Sequence, residues 1–186
     1  MALPSTIYRV TIQLSDVDRG VYESLQVTVA RHPSETEERL VARLLAFALF
    51  FEPELAFAKG VAAGDEPDLW VKGPDGRVLL WVEAGLPEPE RILKAGRHAE
   101  RVALVASGRT MFTWEQHLPK LVTVSNLTVI SFDQAFINCL VSRLDRSITW
   151  SVTISDGTLY LNVGTETFET VLNVRVGKRY ASHSGT

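Results

Sequence analysis

The chain has 186 residues, with 46% hydrophobic and 22% charged side chains and a net charge of −3. That is the composition of one soluble globular domain large enough to bury a sizeable core, and it argues against wholesale disorder. A pI near 5.8 lacks the basic footprint of a general nucleic-acid binder, and no segment approaches the ~20 apolar residues of a membrane span.

The start, Met1-Ala-Leu-Pro-Ser-Thr, carries no basic leader, so a cytoplasmic protein is expected. A monomer with no membrane association is expected as well. Residues 6–14 alternate apolar and polar like a half-buried strand, and residues 24–30 repeat the pattern, which predicts an antiparallel pair. Ser34-Glu35-Thr36-Glu37 reads as a capping box, with Ser34 as the cap, Glu37 reaching back and Glu35 at an exposed helix entrance. The helix that follows is apolar around most of its circumference and should end before Pro53. Glu38 shares a helix surface with Val41, Ala42 and Leu45, so it is either a first-turn acid complementing the helix dipole or an inward acid that needs a partner.

Asp68 lies in Gly64-Asp65-Glu66-Pro67-Asp68, where Asp and Pro are ordinary turn formers. Leu69-Trp70-Val71 then suggests a strand, and Lys72-Gly73-Pro74-Asp75-Gly76 a turn back into the strand 78–83. This hairpin places Asp68 and Glu83 at the same end of the sheet, where two carboxylates can share one divalent ion. A helix over about 89–99 and a strand over 101–107 complete a right-handed parallel crossover. Lys94 on that helix has two readings: a surface pair with Glu90, or a long cation returned to the acids. Arg91 is a second cation on the same helix, its fork suited to phosphate.

A helix around 114–118, a strand over 127–132 and a helix opened by Asp133 continue the α/β pattern. Cys139 reads as a small buried hydrophobe, and with no second cysteine there is no intrachain disulfide. Residues 147–155, 158–163 and 167–176 read as strands, the first two joined by an Asp156-Gly157 hairpin turn. One domain over 1–180 with a flexible tail at 181–186 is the expected organisation. The four histidines show no metal-ligand spacing, and no Walker or Rossmann glycine loop or serine-nucleophile motif is present.

The blocks Ala30-Arg-His-Pro-Ser-Glu-Thr-Glu-Glu-Arg39, Asp65-Glu-Pro-Asp-Leu-Trp70 and Leu80-Trp-Val-Glu-Ala-Gly-Leu-Pro87, with Arg91 and Lys94-Ala95 beyond, resemble the YaeQ family of small bacterial proteins. That family looks like a variant branch of the PD-(D/E)xK nuclease superfamily. The resemblance implies a mixed α+β sheet with a restriction-endonuclease-like core and additional antiparallel strands at both termini. It also implies a Mg²⁺ or Mn²⁺ site made by Glu38, Asp68 and Glu83, acting on nucleic acid, DNA in preference to RNA. The superfamily's strand lysine is replaced by Gly85, so the resemblance assigns the catalytic cation to Lys94. Two alternatives stand beside a nuclease. One is a catalytically silent protein that keeps the fold as an interaction module; the other is a structural acid network held by Arg39 or Arg43.

Overall fold

Strands β1 (Thr6–Asp16) and β2 (Val21–Arg31) pair antiparallel from Thr6↔Arg31 to Asp16↔Val21, as their alternation requires. The structure is a computed structural model that describes residues 3–59 and 64–179. The expected tail at 181–186 lies outside them. Tyr8, Val10, Ile12 and Leu14 all turn one face of β1 into the core. The hairpin of β8 (Ser147–Ser155) and β9 (Thr158–Val163) joins them, with positive φ at both Asp156 and Gly157 as a two-residue turn demands. With β10 (Glu166–Val171), the first sheet has the order β10-β9-β8-β1-β2, and β8 runs parallel to β1.

The second sheet has the order β11-β7-β6-β5-β4-β3, built from β3 (Ala56–Phe57), β4 (Leu69–Lys72), β5 (Val78–Gly85), β6 (Ala99–Ala106), β7 (Leu127–Ser131) and β11 (Asn173–Val176). Its three central strands are parallel, and the crossover helix α2 (Pro89–His98) joins β5 to β6. The strand expected over 167–176 is two strands in different sheets. Leu172 breaks it: its side chain is buried and its N–H donates to the carbonyl of Gly157, so the chain passes from one sheet to the other there.

Helix α1 (Glu37–Leu49) is buried without interruption from Leu40 to Leu49. It shares one core with the inner faces of both sheets and therefore lies between them. The opposite face of the second sheet, with Val102, Leu104, Leu127 and Val129, makes a second core against Ile92 and Ala95 of α2. Alternate residues of β6 thus serve different cores, which explains why it reads as an unbroken apolar run. The mixed α/β class is as expected.

Three local expectations are corrected. Thr36, not Ser34, caps α1, its hydroxyl accepting from the Arg39 N–H at 3.2 Å; Ser34 instead bonds the His32 ring at 2.6 Å. The predicted helix near Trp114 is α3 (Met111–Trp114), a 3₁₀ turn and α4 (Leu118–Leu121), because Pro119 has no N–H to continue one α ladder. Cys139 is exposed, since α5 (Gln134–Val141) buries Phe136, Ile137 and Leu140 on the side away from it. No helix among the described residues is long and apolar enough to cross a membrane.

Candidate functional site

The β4–β5 hairpin brings Asp68 and Glu83 together. Leu69 pairs with Val82, so Asp68 lies one step outside β4, opposite Glu83. The backbone fixes this: the Asp68 N–H donates to the carbonyl of Val82 at 3.1 Å, and the Ala84 N–H donates to Asp68 Oδ2 at 2.8 Å. Trp81, two residues before Glu83 and so on the same face of β5, donates its Nε1–H to Glu83 Oε1 at 2.9 Å. The acids sit at the carboxyl end of the parallel strands, where open α/β sheets place their crevices. Here that crevice is a cleft of about 750 Å³, bordered by the start of α1, the segment before Asp68 and the turns after β5 and β6.

Both acids meet arginines. Arg39 Nη2 donates to Asp68 Oδ1 at 2.6 Å, and Arg91 Nε donates to Glu83 Oε1 at 2.6 Å. Arg91 also donates to the carbonyls of Gly64 and Glu66, tying α2 to the segment that delivers Asp68. Arg39 Nη1 continues to Glu35 Oε1 at 3.1 Å, and Glu35 receives a two-pronged contact from Arg43 at 2.7 and 2.8 Å. Glu35 is therefore buried in an ionic chain and not at an exposed helix entrance. Its signal was present in the sequence: Glu35, Arg39 and Arg43 recur every four residues, the spacing of one helical face.

Burial, with the charge of Asp68 beside it, pushes the Glu83 carboxyl up to about 7 against the opposing pull of Arg91 and Trp81. Its Oε2 receives no hydrogen bond among the described residues. Burial alone would pull the Arg39 guanidinium down, but the charges of Asp68 and Glu35 outweigh it and hold it above its usual value. The layout is graded. The side chains of Glu83 and Asp68 are 4% and 9% exposed, those of Arg91 and Arg39 32% and 34%. Arg109, on the rim, is 81% exposed. Acids floor the cleft and cations line its mouth.

The other sequence candidates lie apart from the pair. Glu38 pairs with Arg109 at 3.0 Å; its own backbone N–H, then Arg109, lower its carboxyl below the usual range. No cluster of three or more His, Cys, Asp or Glu suited to a metal occurs among the described residues. Lys94 does not return to the acids: its ammonium lies 3.3 Å from Asp65 on an exposed surface, and Glu90 pairs with Lys120 instead. Arg91, one helical turn earlier, takes the position facing Glu83. Gly85 has φ +102°, and a side chain there would start 3.8 Å from Arg39 Nε. Arg39 thus lies over Gly85.

The chain matches the YaeQ protein family model over residues 1–172. It belongs to the YaeQ family. It is 39% identical over 164 residues to the YaeQ protein of Salmonella typhi and 38% identical to that of Escherichia coli K12. In both cases 87% of this chain and 91% of the relative are covered. Both relatives are described as uncharacterized. Among solved structures, YaeQ from Pseudomonas syringae superimposes with a TM-score of 0.90 at 40% identity, covering 96% of this chain and all of that one. YaeQ from Xanthomonas axonopodis pv. citri gives 0.88 at 35% identity, covering 94% and 99%. The likeness covers 94–96% of the chain, so both sheets belong to the shared YaeQ fold.

Proposed function

We propose that this cleft hydrolyses phosphodiester bonds in nucleic acid, DNA in preference to RNA, with a divalent cation held by Asp68 and Glu83. The observation that carries the reading is the acid pair itself, two adjacent carboxylates on neighbouring strands at the mouth of a sheet. The donor set fits Mg²⁺ or Mn²⁺: Mg²⁺ takes one or two carboxylates and keeps several waters, so two acids suffice. Glu83 Oε2 is left for it by the hydrogen-bond pattern. The order α1, β4–β5 hairpin, α2, β6, with the acids on the hairpin, supports reading the second sheet as a restriction-endonuclease-like core.

When bound, the cation would offset charge on the scissile phosphate and lower the pKa of a coordinated water. The chain's own residues do the rest. The Ala84 N–H and Trp81 indole hold the carboxylates in place before substrate arrives. Arg39 and Arg91 are the cations in reach, planar forks that can engage phosphate oxygens while their stems remain seated. Arg39 replaces Lys94 as the candidate for the missing strand lysine. Glu38 joins only at the margin, as the anchor of Arg109 on the rim.

Incubating the protein with DNA oligonucleotides and Mg²⁺ or Mn²⁺ tests the claim. Cleavage is expected, and Asp68→Ala should reduce it on the order of a hundredfold. An inert wild type, or equal cleavage by the variant, would overturn it.

One observation favours the second reading, a silent interaction module. Each acid already has an arginine partner, so the pair is largely neutralised by the protein itself. In that case the site binds no divalent ion and the cleft's cationic mouth acts only as a binding surface.

A further inference from the structure

The first sheet ends in an unusually bare edge. Strand β2 pairs only with β1 among the described residues, along eleven residues without a bulge. It contains no proline or lysine, two of the devices that stop an exposed edge from pairing with another chain; the charges it does carry, Glu23 and Arg31, block a strand that cannot match them and so select the partner. The other open edges are shorter: six residues in β10, four in β11 and two in β3.

The side chains of β2 say which strand it suits. Its odd-numbered positions, on the inner face, are Val21, Glu23, Leu25, Val27, Val29 and Arg31, with Leu25 and Val29 buried. Glu23 and Arg31 are the only charged residues of the strand, and each lies four residues from Val27. Neither has an ion-pair partner among the described residues: Glu23 is exposed, and Arg31 Nη1 donates to the carbonyl of Glu35 while its Nε is buried with no acceptor.

We propose that β2 pairs antiparallel with β2 of a second copy of this chain, about a two-fold axis at Val27. In this register Glu23 faces Arg31 of the other copy twice, Leu25 faces Val29, and Val27 faces itself. The outer stripe pairs Gln26 with Thr28 and Ser24 with Ala30, with no charge opposed to like charge. Moving the axis by one residue to Gln26 sets Glu23 against Val29 and Arg31 against Val21, which leaves both charges unpaired against apolar groups. The strand is thus complementary to itself in one register, as an isologous contact requires. The two first sheets join into one continuous ten-stranded sheet. A strand pair is small beside the roughly 1,200–2,000 Å² of a standard stable interface, so the dimer is weak and its population follows concentration. It departs from the monomer expected from sequence and is independent of any activity in the cleft.

Sedimentation equilibrium on the full chain across a concentration series tests this. The weight-average mass is expected to climb from 20.6 kDa towards twice that value. Glu23→Arg should abolish the climb, and Glu23→Arg with Arg31→Glu should restore it. Glu23 is exposed, so the single variant keeps its fold, checked by an unchanged melting curve. Opposed residues lie about 4.5–5.5 Å apart at Cα, within disulfide range. Val27→Cys in a Cys139→Ser background should therefore cross-link to a covalent dimer on mild oxidation, while Tyr22→Cys should not. A mass fixed at 20.6 kDa at every concentration, dimerisation indifferent to Glu23→Arg, or equal cross-linking at 22 and 27 would overturn the proposal.

Discussion

Helix α1 has an ionic cluster at each end, and the two are built differently. At its C-terminal end one fully buried carboxylate, Asp16, receives two arginines, Arg19 at 2.6 Å and Arg179. Those arginines also donate to the carbonyls of Ala48 and Leu49, which a helix end leaves without intrahelical partners, and to that of Phe51 just beyond the helix. At the N-terminal end carboxylate abuts carboxylate, and Glu83 is driven towards protonation by burial and by Asp68. The first cluster satisfies its members and closes the helix. The second keeps an unfavourable pair in a cleft, a cost that holds a fold together poorly but suits a site that awaits a cation.

The largest effect belongs to the closed cluster. Asp16→Ala leaves two largely buried guanidinium groups without their carboxylate and should cost about 3–5 kcal/mol in urea denaturation. A loss below about 1 kcal/mol would show that this cluster, too, is expendable.

The next effect is the pH dependence of Glu83. Its folded-state pKa of about 7 lies above the ordinary 4.5, so the folded protein holds this proton more tightly than the unfolded chain. The stability it contributes is fully present below about pH 4.5 and is lost as pH rises through 7. Wild type should therefore lose on the order of 3 kcal/mol of stability relative to Glu83→Gln between those limits, so that the variant becomes the more stable protein at high pH. Denaturation curves of both proteins at pH 5 and 8 measure it; a constant difference would mean that folding leaves the proton affinity of Glu83 unchanged.

Smaller effects separate Arg39, in the cleft, from Lys94, outside it. If cleavage is present, Arg39→Ala should reduce it about tenfold or more, because the fork over Gly85 is lost. Lys94→Ala should leave the rate within about twofold, since its partner Asp65 is a solvent-exposed acid. A larger loss at Lys94 than at Arg39 would reverse the assignment made from the geometry.

Much of this was legible beforehand where the signal is local and periodic. The alternation in β1 and β2, the Asp156-Gly157 turn and the run from Val78 to Glu83 each contain their own structural instruction, and Asp68 and Glu83 were paired through the turn between them. Three of the failures share a cause: they depend on partners remote in sequence. Lys94 and Glu90 looked like one another's partners at four residues apart, yet each meets a group 29 or 30 residues away. The division at Leu172 is set by Gly157 and by the second sheet, neither visible in residues 167–176. Arg39 over Gly85 follows from how α1 packs between the sheets, which no spacing within α1 discloses.

The central claim is that Asp68 and Glu83 form a divalent-cation site, and calorimetric titration with Mg²⁺ and Mn²⁺ tests it most directly. The account predicts saturable binding at pH 8 that weakens at pH 6, where Glu83 holds a proton, and that disappears in Asp68→Asn. No binding at either pH, or binding unchanged in the variant, would contradict it.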